Sequence, residues 1–363
     1  FFFTKAEVKH YVFSMGAFAV VFALFLFLRH QYTKAGLTQD SPEILNNPFA
    51  YATGAQRYAT AILTFLYYYW LQIVPHPLTH DYYFNQIPYV DFSDFKFVLS
   101  FVVTGALVVY ALINIRKKTI PSYAILFYFI TFSVVTNILF TVGVLMNERF
   151  IYMSSLGFCL LLAYLLLTYI KDQKLKIGIV AAVLLLYSAK SFTRNFDWHD
   201  STLLFMRDVR WSPNSSKIQT SLGGDLTKVA DNNISLLRDS GELKNILADV
   251  CMDKSESDIN MLAALPDSMV RNILLDSSIA HLERAINIYP THSNAWLLLG
   301  NALYKRHHLP NEVIPVYEKA AAYRVGGYYD AYFNLGIVLN ENNMAQQAKD
   351  NFLKAYAMKP EVP

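Results

Sequence analysis

The stretch NERFIYMSSLGF at 147–158 sets a Glu-Arg pair, Glu148 and Arg149, between two long apolar runs at 123–145 and 150–170. Each run has the length of a bilayer-crossing helix, since about 20 apolar residues span roughly 30 Å of hydrocarbon. The connection between them is expected to be only a few residues long, which sets Glu148 and Arg149 at or just inside one membrane face. Ionisable groups at that depth are costly and mark either a function or a helix-end anchor. The chemistry open to Arg149 is capture of a lipid phosphate, because a guanidinium pairs well with phosphate oxygens. Arg57, which opens an aromatic-rich run at 58–74, has the same two readings: phosphate ligand or interfacial anchor. His80 and Asp81 lie in a proline-rich loop at 75–94 and are candidates to orient donor or acceptor, with a turn or helix cap as the alternative for Asp81. Capping helix ends, or pairing with each other, is the alternative for Glu148 and Arg149. No His/Cys spacing suggests zinc, and no glycine-rich phosphate loop occurs.

The elements that must position these residues follow from composition. The chain has 363 residues, 54% hydrophobic and only 16% charged, against about 25% charged in soluble proteins. The apolar residues crowd into the first half, so two units are expected: a membrane region at 1–190 and, after a linker at 191–216, a soluble helical region at 217–363. The membrane region reads as about five or six spans, at 11–28, 58–74, 95–115, 123–145, 150–170 and 177–189. The aromatic run at 58–74 also suits a re-entrant or interfacial helix. Basic residues at 116–118 and 171–176 set those loops on the cytoplasmic side. The loop at 75–94, the Glu148-Arg149 pair and everything after Lys190 then lie on the opposite side. A net charge of +3 without a large basic cluster argues against nucleic acid, and Cys159 and Cys251 do not make a disulfide framework. The start at Phe1-Phe2-Phe3, without Met, is read as that of a fragment.

A helical repeat is legible in the second half. Set on Tyr332, the tetratricopeptide pattern finds Leu335, Gly336, Leu339, Ala348, Phe352, Ala355 and Pro360; set on Trp296, it finds Leu299, Gly300, Leu303, Val313, Tyr317 and Ala320. The Leu-Gly pairs recur near the 34-residue period of this repeat class. A broken first copy runs from Leu222-Gly223 to Leu282, Ala285 and Pro290, and 231–268 reads as a loop inserted in it. The expected fold is therefore all-α, a multi-span transmembrane helical bundle followed by a tetratricopeptide-repeat α-solenoid. A groove near Trp296, Asn301, Tyr332 and Asn334 is the expected peptide-binding surface.

Four motifs in order carry a family resemblance: Asn47-Pro48-Phe49; the Pro75–Tyr82 loop PHPLTHDY with Ile87-Pro88; the NERFIYMSSLGFC stretch; and Arg194-Asn195-Phe196-Asp197-Trp198 ahead of the repeats. Together they resemble the C-terminal portion of the transmembrane and tetratricopeptide-repeat O-mannosyltransferases, which are similar to GT-C fold glycosyltransferases. The resemblance implies transfer of a sugar, mannose, from a polyprenyl-phosphate donor to a protein hydroxyl, with no covalently bound cofactor. It also implies an integral membrane protein whose repeat domain faces the endoplasmic reticulum lumen, or the periplasm in a bacterium, and binds the acceptor protein. On this reading Arg149 and Arg57 hold the donor phosphate, His80, Asp81 and Glu148 line the site, and the acidic base lies outside this chain. A non-catalytic membrane-anchored repeat scaffold is the competing function. A transporter fits less well, because the spans lack paired discontinuous helices or an intramembrane charge series.

Overall fold

The computed structural model describes residues 8–33, 44–251, 253–324 and 326–360. The start at Phe1–Phe3 lies outside the described residues. Among the described residues there are helices and no strands, and the chain divides into two compact units. One unit is Phe1–Leu78 with Ile87–Lys190; the other is Thr79–Gln86 with Ser191–Pro363.

The first unit holds α1 (Val8–Thr33), α2 (Gly54–Ile73), α3 (Phe95–Asn114), α4 (Ile120–Ser133), α5 (Ser155–Tyr169) and α6 (Gln173–Asp197) up to Lys190. Helix α2 packs on α3, α3 on α4, and α4 on α5. Helix α2 starts in a capping box, with the Thr53 hydroxyl taking the Gln56 N–H and the Gln56 side chain taking the Thr53 N–H. Asp94 caps α3 through bonds from the Lys96 and Phe97 amides. Segments Phe95–Lys117 and Gln173–Asp197 are long and apolar enough to cross a membrane. Phe101, Val102 and Ile113 of the first, and Leu184, Leu185 and Leu186 of the second, are exposed. Contiguous apolar exposure of this kind needs an apolar neighbour.

The apolar run at 123–145 is not one span. Helix α4 stops at Ser133, and residues 134–147 run as an irregular segment. The hydroxyls of Thr131, Ser133 and Thr136 each donate to a carbonyl three or four residues back, a local competition with the helix ladder. Asn137, in the left-handed region at φ 60°, then closes a loop. Its side-chain Nδ2 donates to the Val144 and Leu145 carbonyls, and its side-chain Oδ1 accepts from the Val142 amide. The connection expected to be a few residues long therefore extends from Val134 to Ser154.

The second unit is built on helical hairpins. Helices α8 (Ser216–Asp231) and α12 (Asp267–Ile288), α13 (Ser293–Lys305) and α14 (Pro310–Tyr323), and α15 (Tyr329–Glu341) and α16 (Ala345–Met358) pack in pairs. Helices α12 and α14 pack in turn on the next pair, through α13 and α15. Each pair meets at a glycine that admits no Cβ. One at Gly223 would lie 2.5 Å from Leu282, one at Gly300 2.6 Å from the Tyr317 ring, and one at Gly336 2.6 Å from the Phe352 ring. The repeated Leu-Gly signature thus marks where the paired helix seats a large side chain against the glycine, and the all-α class with stacked helical repeats is the one observed.

Two segments differ from the sequence reading. The stretch 231–268, expected as a loop, holds α9 (Ile234–Asp239), α10 (Glu242–Val250) and α11 (Glu256–Ala263). Ile234, Leu243, Leu247, Ile259 and Ala263 share one core with Leu226, Val270 and Leu274. Each helix is shorter than the window over which a 3.6-residue period is read, although Leu243, Ile246, Leu247 and Val250 of α10 keep that period. The stretch 191–216, expected as a linker, contains α7 (Ser201–Trp211), capped by Asp200 and packed on α8 with Met206 in the same core.

Candidate functional site

In the first unit the polar residues gather where α2 meets the irregular segment. Arg57, one turn into α2, donates from Nη2 to the Asn137 carbonyl at 3.3 Å, and its guanidinium lies 5.4 Å from the Tyr58 ring. Its Nε–H is buried with no acceptor among the described residues. Further along α2, the Tyr68 hydroxyl donates to the Asn147 carbonyl at 3.1 Å and accepts from the Asn147 amide at 3.0 Å. Asn147 in turn caps the short turn Glu148–Ile151 through its side-chain oxygen on the Arg149 amide. Helix α2 thus holds both ends of the segment, with Arg57 at Asn137 and Tyr68 at Asn147. Glu148 is half-buried in the turn; Arg149 is exposed, 6.0 Å from the Phe150 ring, and makes no ion pair among the described residues. Asn137, Asn147 and Tyr68 were not named as site residues; one asparagine inside the apolar run at 123–145 and another heading the 147–158 stretch were the available signal.

His80 and Asp81 fold with the second unit. The backbone amide and Nδ1 of His80 lie 2.8 and 2.7 Å from Asp208 Oδ2. Arg194 approaches the same carboxylate with Nη1 at 2.6 Å from Oδ1 and Nη2 at 2.8 Å from Oδ2. It also reaches Asp197 at 3.0 Å, and Asp197 pairs with Arg207. The Asp208 side chain is 0% exposed. Burial works against its charge, but the bonds from His80 and Arg194 outweigh burial and hold its carboxyl below the ordinary carboxylate range. Arg194 and Asp197 sit in the Arg194–Trp198 motif, and their one-turn spacing was the overlooked sign of a charge pair.

Asp81 takes the turn role instead of lining a site. It is 1% exposed, accepts from the Tyr83 amide at 2.8 Å and from the Ser215 hydroxyl at 3.0 Å. Ser212 donates to its carbonyl at 2.8 Å. With both carboxylate oxygens engaged inside the unit, Asp81 presents nothing to a ligand. Burial raises its pKa, against the opposing bonds.

On the repeats, the four expected groove residues divide into two kinds. Trp296 and Tyr332 pack against the repeat core, with Lys319 Nζ 4.4 Å and Lys354 Nζ 5.5 Å from their ring centroids. Asn301 and Asn334 instead join α13 to α15: Asn334 Nδ2 donates to Asn301 Oδ1 at 2.9 Å, and the buried Tyr317 hydroxyl donates to the same oxygen at 2.8 Å.

No family model matches the chain. It is 25% identical over 299 residues to human "Protein O-mannosyl-transferase TMTC3", covering 79% of this chain and 33% of that protein. The Drosophila melanogaster protein of the same name is 24% identical over 290 residues, 76% of this chain and 31% of the relative. Human "Protein O-mannosyl-transferase TMTC4" is 26% identical over 196 residues, 50% of this chain. The chain spans about a third of the length of the first of these relatives. The resemblance to the transmembrane and tetratricopeptide-repeat O-mannosyltransferases thus extends well beyond the four motifs.

Proposed function

We propose, for a chain whose relatives are named for protein O-mannosyl transfer, that it forms the donor-phosphate grip and acceptor-holding part of a GT-C-type membrane O-mannosyltransferase. The observation that carries this reading is Arg57. A permanent cation with a buried, unmet Nε–H is costly unless an acceptor arrives. The oxygens of a polyprenyl phosphate, departing as the sugar is transferred, match a guanidinium in charge and in fork geometry. Arg149, exposed on the turn that closes the same segment, is the second phosphate ligand, and Glu148 lines the site beside it. An entirely apolar cavity of about 230 Å³, lined by Tyr69, Leu107, Ile125, Phe129, Phe158 and Leu161, suits the prenyl chain of such a donor. The acceptor hydroxyl needs a carboxylate to take its proton, a role assigned to none of the described residues.

The repeats hold the acceptor polypeptide on the non-cytoplasmic side, endoplasmic reticulum lumen or periplasm. The test is mannose transfer from a polyprenyl-phosphate donor by the full-length protein. Arg57→Ala and Arg149→Ala are each expected to lower turnover about 100-fold, the scale of removing one transition-state charge partner. Turnover equal to wild type in both variants refutes the phosphate grip. A wild-type protein that binds polypeptide but transfers no sugar supports the membrane-anchored scaffold instead.

A further inference from the structure

We infer that Asn233, the residue that caps α9, carries an N-linked glycan on its side-chain Nδ2. The inference rests on the reading that sets the second unit on the non-cytoplasmic side, where such glycans are attached.

An asparagine accepts an N-linked sugar within Asn-Xaa-Ser/Thr, Xaa not being proline. The sequence contains this tripeptide twice, at Asn214-Ser215-Ser216 and at Asn233-Ile234-Ser235. The fold treats the two in opposite ways.

In the second, Asn233 and Ser235 are exposed, while Ile234 between them is buried in the core shared with α8, α10 and α12. The inward isoleucine turns its two neighbours outward. Asn233 Oδ1 accepts from the Ser235 amide at 3.1 Å and from the Leu236 amide at 3.4 Å. Backbone N–H groups need an oxygen opposite them, which fixes the orientation of the side-chain amide. Nδ2 is then the remaining atom, with no partner among the described residues. Replacing one of its two hydrogens with a sugar leaves both capping bonds in place. Leu236, 66% exposed, adjoins the same cap, and the attached sugars would shield it.

The first tripeptide is closed. Asn214 is itself exposed, but its amide donates to Gln86 Oε1 at 3.1 Å and its carbonyl accepts from the Asn85 amide at 2.9 Å. Ser215 and Ser216 are 0% exposed, their hydroxyls donating to Asp81 and to the Ala285 carbonyl. The tripeptide rule requires the third residue's hydroxyl to be within reach of the transferring enzyme, and here it is not. Order of synthesis sharpens the contrast. Asn85 and Gln86 are already made when Asn214 emerges, whereas Asp267, which takes the Ser235 hydroxyl at 2.8 Å, comes 32 residues after it.

The donor is a lipid-pyrophosphate-linked oligosaccharide, brought by a separate transferase. Asn233 Nδ2 bonds to the anomeric carbon of its first sugar, and the bond from that carbon to the pyrophosphate oxygen breaks. The lipid pyrophosphate leaves with the electron pair, and the transferase takes one amide proton.

The full chain is expressed in animal cells and treated with peptide N-glycosidase in heavy-oxygen water, which leaves a labelled aspartate wherever a glycan was attached. A single mobility shift is expected, with label at position 233 and none at 214. Asn233→Asp, which keeps a capping oxygen, and Ser235→Ala, which keeps Asn233, should each abolish the shift, and Asn214→Gln should retain it. Label at 214 in place of 233, or a shift that survives in both Asn233→Asp and Ser235→Ala, overturns the assignment. A wild-type chain with no shift also overturns it, and a further variant separates the cause. Asp253→Asn with Ser255→Thr, added to Asn233→Asp, installs the tripeptide at exposed positions of the same unit and keeps a hydroxyl cap on α11. Glycosylation there leaves the non-cytoplasmic placement standing, and its absence overturns that placement as well.

Discussion

Replacing Asp208 with Asn keeps the shape of the side chain and removes one charge from the most enclosed ion cluster in the second unit. Asp208 is 0% exposed and takes contacts from the His80 amide, His80 Nδ1 and both terminal nitrogens of Arg194. Breaking a buried pair by removing one partner costs about 3–5 kcal/mol. Asp197 still holds Arg194, although it also serves Arg207, so the low end, about 3 kcal/mol, is expected. In a unit of this size that loss corresponds to a melting temperature lower by about 6–12 °C. Its local signature is distinct, because Thr79–Gln86 loses the carboxylate that takes the His80 amide. Hydrogen exchange on the full-length protein is therefore expected to quicken at 79–86 and 191–211 ahead of α13–α16. The pH dependence follows the same group. Its folded pKa is depressed, so its stabilisation is present above the ordinary value of 3.8 and lost as pH falls through the folded value. Asp208→Asn should flatten that acid limb. A melting shift below about 2 °C together with unchanged exchange at 79–86 refutes the anchoring role given to this cluster.

The buried His292 lies 2.9 Å from Ser216 Oγ and 3.2 Å from Thr220 Oγ1, and burial pushes its pKa down to about 4 from 6.5. The unfolded state binds that proton first, so stability is full above pH 6.5 and falls as pH drops toward 4, by at most about 3 kcal/mol. Urea unfolding at a series of pH values checks this: His292→Gln should lessen the slope and leave the part contributed by half-buried His281, whose pKa burial also pushes down to about 4. Gly300→Ala, whose Cβ would lie 2.6 Å from the buried Tyr317 ring, is expected to destabilise by about 1–2 kcal/mol, overpacking outweighing the gain in helix propensity. Gly105→Ala in α3 has open space and should be neutral or stabilising by up to about 1 kcal/mol; calorimetry of both separates packing from propensity. Asn137→Ala removes three side-chain hydrogen bonds to 142–145. It should destabilise the irregular segment by about 2–3 kcal/mol, read as faster limited proteolysis at 134–147.

The repeats were legible because Gly223, Gly300 and Gly336 do one job, each sitting under a large side chain of the paired helix, and the last two recur at the repeat's spacing. The three short helices at 231–268 were not, because each is too short for its period to dominate a longer window, although Leu243, Ile246, Leu247 and Val250 of α10 do hold helical spacing. The break after Ser133 was hidden by composition. Residues 134–147 are mostly apolar, and the preference for a loop rests on hydroxyls turning back to carbonyls and on one asparagine at positive φ. Among the candidate residues, Arg57 could be picked out by type and position alone, but its unmet Nε–H is visible only in the fold. Asp81 stands out in the sequence as an acid beside a histidine, and only its partners Tyr83 and Ser215 identify a role in the turn. Asp208 carried no sequence signal, because its significance depends on His80, far away in the chain.

The inclusion of Thr79–Gln86 in the repeat unit constrains the path of the chain by parity. Two segments of one folded unit cannot lie on opposite sides of a bilayer, so the stretch Ile87–Lys190 between them must cross an even number of times or not at all. With α3 and α6 long enough to cross, α4 and α5 must either both cross or both turn back. The Thr79–Gln86 loop must also wait, during synthesis, for Ser191 onward to emerge before His80 and Asp81 meet Asp208 and Ser215. Cutting the chain at Lys190 would leave the repeats without a segment of their own interior.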